Sequence, residues 1–172
     1  MKAILSLIFL IASFTIEAQT IDTLKSIVRF KVGNMGINKV KGTFKGMEGT
    51  VVFKQKDLKS SAFKVCIDAT TLNTKNSLRD KHLRYKDFFD TDTYPTICFQ
   101  SSEIKQENGS KYIVRGKLTI RDVTKEVSIP FTYENNTFLG EFTINRKDYN
   151  VGKGSTIMVG NEVALIIECT IK

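Results

Sequence analysis

The chain holds one histidine, His82, in "RDKHLRYKDFFDTDTYP" (Arg79 to Pro95), where nearly every neighbour is charged, aromatic or turn-forming. A catalytic histidine needs a nucleophile or an orienting carboxylate in reach, and a zinc site needs three or four ligands. Asp80, Asp87, Asp90 and Asp92 would supply carboxylates, but a helix this dense in charge ordinarily carries them as a solvated face. One histidine and three scattered cysteines cannot assemble a histidine-rich zinc or haem centre. No G-x-S-x-G stretch or comparable nucleophile signature occurs. These residues point to no catalytic group, no metal and no cofactor. His82 is then expected to be a partly buried helix histidine bonded to a backbone carbonyl or a carboxylate.

The other candidates for chemistry are Cys66, Cys98 and Cys169. Three cysteines at wide spacing are not a disulfide framework, and no C-x-x-C pair is present. What they do depends on the elements that carry them.

Those elements are strands. After residue 25 the dominant pattern is alternation with period two, the mark of a strand with one buried face. "SIVRFKV" sets Val28, Phe30 and Val32 opposite Arg29 and Lys31, and "AFKVCID" sets Phe63, Val65 and Ile67 opposite Lys64, Cys66 and Asp68. "KVKGTF", "GTVVFK", "TICFQS", "KYIVRGKLTIR", "EVSIPFTY", "FLGEFTIN" and "EVALIIECTI" continue the pattern. Turn signals near Gly109, Asp122, Asn136 and Gly152 separate them, and "NGS" and "NNT" read as surface loops. Eight or nine short strands with little helix between them describe an antiparallel barrel or sandwich. Inward glycines at 42, 49, 116 and 140 favour the barrel, as sharp bends or as room for a ligand.

Alternation fails between Thr70 and Tyr94. There an Asn or Thr cap precedes Leu78, His82 and Leu83 at helical spacing, so a helical connection over about residues 76–90 is expected. Phe88 and Phe89 would pack as core over one end of the barrel. Cys66 and Cys98 fall on outward positions of the strands flanking this connection. Antiparallel pairing would bring them together, which leaves open a cross-strand disulfide or three free thiols; Cys169 points inward and stays free.

"MKAILSLIFLIASFTIEA" has Lys2, an uncharged run from Ala3 to Ile16, and Ala18 at a small-residue cut. It reads as a secretory signal peptide over residues 1–18, cleaved after Ala18, and its apolar run is shorter than a membrane span. Residues 19–172 then form one domain with no internal boundary, periplasmic or secreted and without an integral membrane segment. The chain carries a formal charge of +8. Its lysines and arginines alternate with apolar residues rather than gathering in a block, so a solvated basic surface is expected and not a nucleic-acid partner.

Four stretches carry a resemblance: Phe30 to Phe53, Arg79 to Ser101, Tyr112 to Phe131 and Ile144 to Gly152. Together, with "RDKHL…DFFD…YP…FQS" the most specific of them, the chain resembles the YceI-like family of exported, lipocalin-like polyisoprenoid-binding proteins. The resemblance implies an all-β, eight-stranded antiparallel barrel that is not an enzyme and holds an isoprenoid-type lipid in its lumen. The expected lumen lining is Phe30, Val32, Phe44, Phe53, Val65, Ile67, Phe99, Val114, Leu118, Phe131, Phe142 and Leu165. Arg79, His82 and Arg84 are expected at the mouth, where donors would meet a polar head group. The chain departs from many members in having Asn34 in place of a histidine and Asp122 and Asn150 in place of glycines; both residue types tolerate left-handed turns. An alternative is an envelope-stress or interaction protein with a solidly packed barrel. A homodimer through a barrel edge or the Phe88-Phe89 segment is compatible with either.

Overall fold

The computed structural model describes residues 18–34, 38–154 and 159–172. The expected leader lies, but for Ala18, outside the described residues. Eight antiparallel strands form a closed barrel in sequence order: β1 Ile27–Asn34, β2 Asn38–Val52, β3 Ala62–Asn73, β4 Thr96–Asn108, β5 Lys111–Ile120, β6 Val123–Glu134, β7 Thr137–Asn145 and β8 Val159–Thr170. β1 pairs with both β2 and β8, with Phe30 opposite Gly42 on one side and Leu165 on the other. Each strand therefore has two neighbours, although β6 and β7 pair only over Phe131–Glu134 and Thr137–Gly140.

Alternation produces this arrangement directly. In β5, Tyr112, Val114, Gly116, Leu118 and Ile120 are buried while Lys111, Arg115 and Lys117 face water. β2 is the exception. Register shifts between Thr43 and Lys45 and between Lys45 and Glu48 move its inward set from Gly42 and Phe44 to Met47 and Val51. Gly49 lies just past the second shift and is exposed, not inward as expected; at its φ of +136° a Cβ would lie 2.1 Å from the Lys64 carbonyl oxygen.

Gly42 and Gly116 do not open space for a ligand, one of the two roles their sequence positions suggested. A Cβ on Gly42 would lie 2.3 Å from the Phe30 ring, and one on Gly116 would lie 2.6 Å from the Phe99 ring. Each ring lies across its glycine and fills the gap. The Asn135-Asn136 hairpin has positive φ at both residues (49° and 59°), the requirement of a type I′ turn. In the Arg121-Asp122 hairpin the left-handed residue is Arg121 (φ 57°), not Asp122 as expected. Arg121 is held there by donating from Nη1 to the Asn150 carbonyl at 2.9 Å and by lying 5.8 Å from the Tyr94 ring centroid.

The expected helical connection is present but shorter. Helix α1 spans Ser77–Arg84, with the Asn76 side chain accepting from the Arg79 amide as N-cap. Residues 85–94 continue as turns, in which the amides of Phe88 and Asp90 donate to the Tyr85 carbonyl. Asp90 is left-handed (φ 48°), so the helix cannot run on to residue 90.

Candidate functional site

The two barrel ends differ. One is closed by rings: the Phe53 ring lies 5.2 Å from Tyr112, 4.9 Å from Tyr133 and 5.2 Å from Phe138, centroid to centroid. The Tyr112 hydroxyl accepts from Gln55 Nε2 at 3.1 Å, which meets the demand of a buried phenol. Residues 19–21 are sewn across this end by bridges from Gln19 to Val51 and from Ile21 to Ile171. Phe53 therefore belongs to this plug and not to the lumen wall. β2 ends at Val52, so Phe53 turns across the barrel axis.

Above the plug the barrel encloses a cavity of about 510 Å³, within the size range of small-molecule sites. The lumen is not packed solid. Phe30, Val32, Phe44, Val65, Ile67, Phe99, Val114, Leu118, Phe131, Phe142 and Leu165 border it, and so do Met47, Ile129, Phe138, Val163 and Ile167. Inward-pointing Val65, Phe99, Phe142, Val163 and Leu165 are only half-buried although they pack on the core. Their remaining accessible surface faces the cavity, whose wall is almost wholly apolar. Met47 escaped the sequence because the β2 register shift breaks the period on which its inward face would be read.

The other end is the mouth. Leu83, Phe88 and Phe89 border the cavity there, beside Arg79, His82 and Arg146. Phe88 is buried, and the Phe89 ring meets Phe44 edge-on at 5.4 Å. These are the aromatics expected over the barrel end.

Arg79 and His82 thus reach the cavity; Arg84 does not. Arg84 donates from Nε to the Thr70 carbonyl at 3.0 Å and from Nη2 to the Leu72 carbonyl, tying α1 to the top of β3. Arg79 is partly spent in the same way, with Nε on Thr74 Oγ1 at 2.8 Å and Nη2 on the Thr74 carbonyl at 3.0 Å. His82 is exposed, not partly buried, and its ring lies edge-on to Phe88 at 5.0 Å. The expected carbonyl or carboxylate partner is replaced by this aromatic contact. Asp80, expected on a solvated face, is instead buried and accepts from the amide of Thr74 at 2.9 Å and from its hydroxyl.

Arg146 is the mouth residue that single-residue reasoning missed. It is buried and donates from Nη1 to the carbonyls of Val151 and Gly152, both at 2.7 Å, and from Nε to Gly160 at 2.8 Å. Desolvation lowers its pKa from the ordinary guanidinium value. The guanidinium organises the β7–β8 connection around the cavity, a task its five donors suit. The only sequence signal was its place in the "INRKDYNVG" stretch.

Cys66 and Cys98 are directly opposite in the β3–β4 ladder and are joined by a disulfide. It lies two residue pairs below Asp68 and Thr96, where the ladder ends and the connection carrying α1 departs. Cys169 is free and buried, and desolvation pushes its thiol up to about 11. Among the described residues, no group of three or more His, Cys, Asp or Glu side chains could hold a metal.

Residues 19–171 match the sequence profile of the YceI-like domain. Protein YceI of Shigella flexneri is 33% identical over 152 residues, covering 83% of this chain and 78% of that protein. A UPF0312 protein of Photorhabdus laumondii is 39% identical over 102 residues, 59% of this chain and 53% of its own length. The crystal structure of BcnA from Burkholderia cenocepacia superposes with a TM-score of 0.80 at 30% identity, over 87% of this chain and 98% of that one. A polyisoprenoid binding domain from Saccharophagus degradans superposes at 0.69 with 13% identity, over 90% of this chain and 98% of its own, and shares the fold.

Proposed function

Because the chain belongs to the YceI-like domain family, we propose that it is an exported binding protein whose lumen holds an isoprenoid-type lipid, a polyisoprenoid or an isoprenoid quinone, for sequestration, transport or storage. The observation that carries this is the apolar cavity of about 510 Å³, bordered by α1 residues at one end and plugged by rings at the other. An isoprenoid chain entering it loses apolar surface to water at roughly 25 cal/mol per Å², offset by the ordering of a flexible chain. The plug would set the depth available and so the length of chain accepted. The donors left at the mouth, on Arg79 and His82, would meet the polar end of the lipid. Export is supported by the leader-like residues 1–18.

The proposal assigns binding and no catalytic step. A solidly packed barrel acting only through its surface would leave no cavity of this size. The test is uptake. Purified protein stripped of lipid is mixed with a polyprenol or an isoprenoid quinone, separated from free lipid, and weighed intact by native mass spectrometry. A one-to-one complex is expected; a protein that stays empty across chain lengths contradicts the proposal.

A further inference from the structure

Helix α1 has two faces. Its inner face, Leu83 with the buried Asp80, packs toward the barrel, and the helix supplies Arg79, His82 and Leu83 to the cavity mouth. Its outer side presents Leu78 in the helix and Tyr85 at its C-cap, with His82 between them at the rim of the mouth. Leu78 is 82% exposed and Tyr85 is 52% exposed, His82 is exposed between them, and its ring centroid lies 6.3 Å from that of Tyr85. The first turn and the turns around the helix present Lys75, Lys81 and Lys86, all exposed, and Lys153 is exposed across the groove shared by His82, Lys86 and Arg121. The exposed carboxylates at this end of the barrel are Asp87, Asp92, Asp122 and Asp148, while Asp80 faces inward on Thr74.

We infer that this outer face of α1 docks on an anionic lipid bilayer, with Leu78 and Tyr85 entering the interface and Lys75, Lys81, Lys86 and Lys153 lying over acidic head groups. The inference rests on the lipid-binding proposal for its purpose, since a cargo that is insoluble in water must be collected where it resides. The occupant follows from charge. A short helix with an apolar ridge and a lysine fringe is the composition of an interfacial element, and each lysine near an anionic surface strengthens binding about fivefold. The docked face belongs to the helix that walls the mouth, so docking sets the mouth against the lipid source.

Vesicle flotation tests this, using mixed phosphatidylcholine and phosphatidylglycerol vesicles without isoprenoid, at low salt. The wild type is expected to float with the mixed vesicles and far less with phosphatidylcholine alone. Leu78→Glu with Tyr85→Ser is expected to weaken flotation about tenfold or more. Lys75→Gln with Lys81→Gln is expected to weaken it about twenty-fivefold. Leu24→Glu, at a leucine 96% exposed beside the plugged end, serves as the control and is expected to change nothing. Equal flotation of the Leu78/Tyr85 variant and the wild type, or equal flotation on both vesicle types, overturns the inference. So does sedimentation showing that Leu78→Glu dissociates a dimer while flotation is unaltered, because the face would then be covered by a second copy. Uptake of isoprenoid from an ethanol dispersion is measured on the same variants. A wild type that floats but takes up no isoprenoid defeats the lumen proposal and leaves docking standing; one that takes it up but does not float does the reverse.

Discussion

Asp80 in α1 and Thr74 just beyond β3 are locked together: the carboxylate accepts both the amide, at 2.9 Å, and the hydroxyl of the threonine. Arg79 donates to the same hydroxyl oxygen from the other side, at 2.8 Å. The mouth helix is thus fastened to the barrel by a polar cluster under its N-terminal turn. Asp80→Ala strands the Thr74 amide in a buried place, a loss of about 2–3 kcal/mol. Urea denaturation should show that drop, with Thr74→Ser largely preserving stability because it keeps both donors.

The Cys66–Cys98 disulfide closes a segment of 32 residues in sequence separation that contains all of α1. Constraining such a loop in the unfolded chain contributes about 3–4 kcal/mol. Reduction, or replacement of both cysteines by alanine, should lower stability by that order. Thiol counting on the denatured, unreduced protein should give one reactive group, Cys169; a count of three would contradict the bridge.

Alkaline pH should destabilise the fold in two steps. Burial raises the Cys169 thiol from 9.0 to about 11, and burial together with the neighbouring Asp148 charge raises the Tyr149 phenol from 10.0 to about 12. Both groups are neutral in folded and unfolded chains below pH 9, so their contribution is fully present there. Above that the unfolded state releases protons more readily, and stability falls as pH rises through about 11 for Cys169 and about 12 for Tyr149. Thermal melts across this range should show the decline, and Cys169→Ala should remove its earlier onset.

The eight strands were legible because each has one wet face and one dry face, and period two survives every substitution within those classes. The plug was not. Phe53 reads as one more inward strand residue until β2 is seen to stop at Val52. The mouth was half legible: Arg79, His82, Phe88 and Phe89 could be placed by the break in alternation. Arg84 could not be told from Arg79, since both are arginines on one short helix and only the Thr70 and Leu72 carbonyls separate their tasks. Buried Asp80 and Arg146 resembled solvated charges because their partners are backbone groups or a threonine, which leave no charge pattern. Cys66 and Cys98 were legible to the extent that equal distance from the connection places them opposite one another.

Filling the lumen should abolish uptake without harming the fold. Val163 and Leu165 are half-buried on β8 and border the cavity, so a larger ring there has that space to enter. Leu165→Trp is expected to keep or slightly raise the melting temperature, as cavity filling does, and to reduce isoprenoid uptake at least tenfold.

The most direct measurement is made on protein recovered from the cell that makes it. Wild type and Leu165→Trp are purified side by side without detergent, extracted with organic solvent, and the extracts compared by mass spectrometry. An isoprenoid lipid present at near one per wild-type chain and missing from the Leu165→Trp extract is the predicted result. Equal amounts in both, or none in either after repeated preparation, would contradict a lipid held in the barrel.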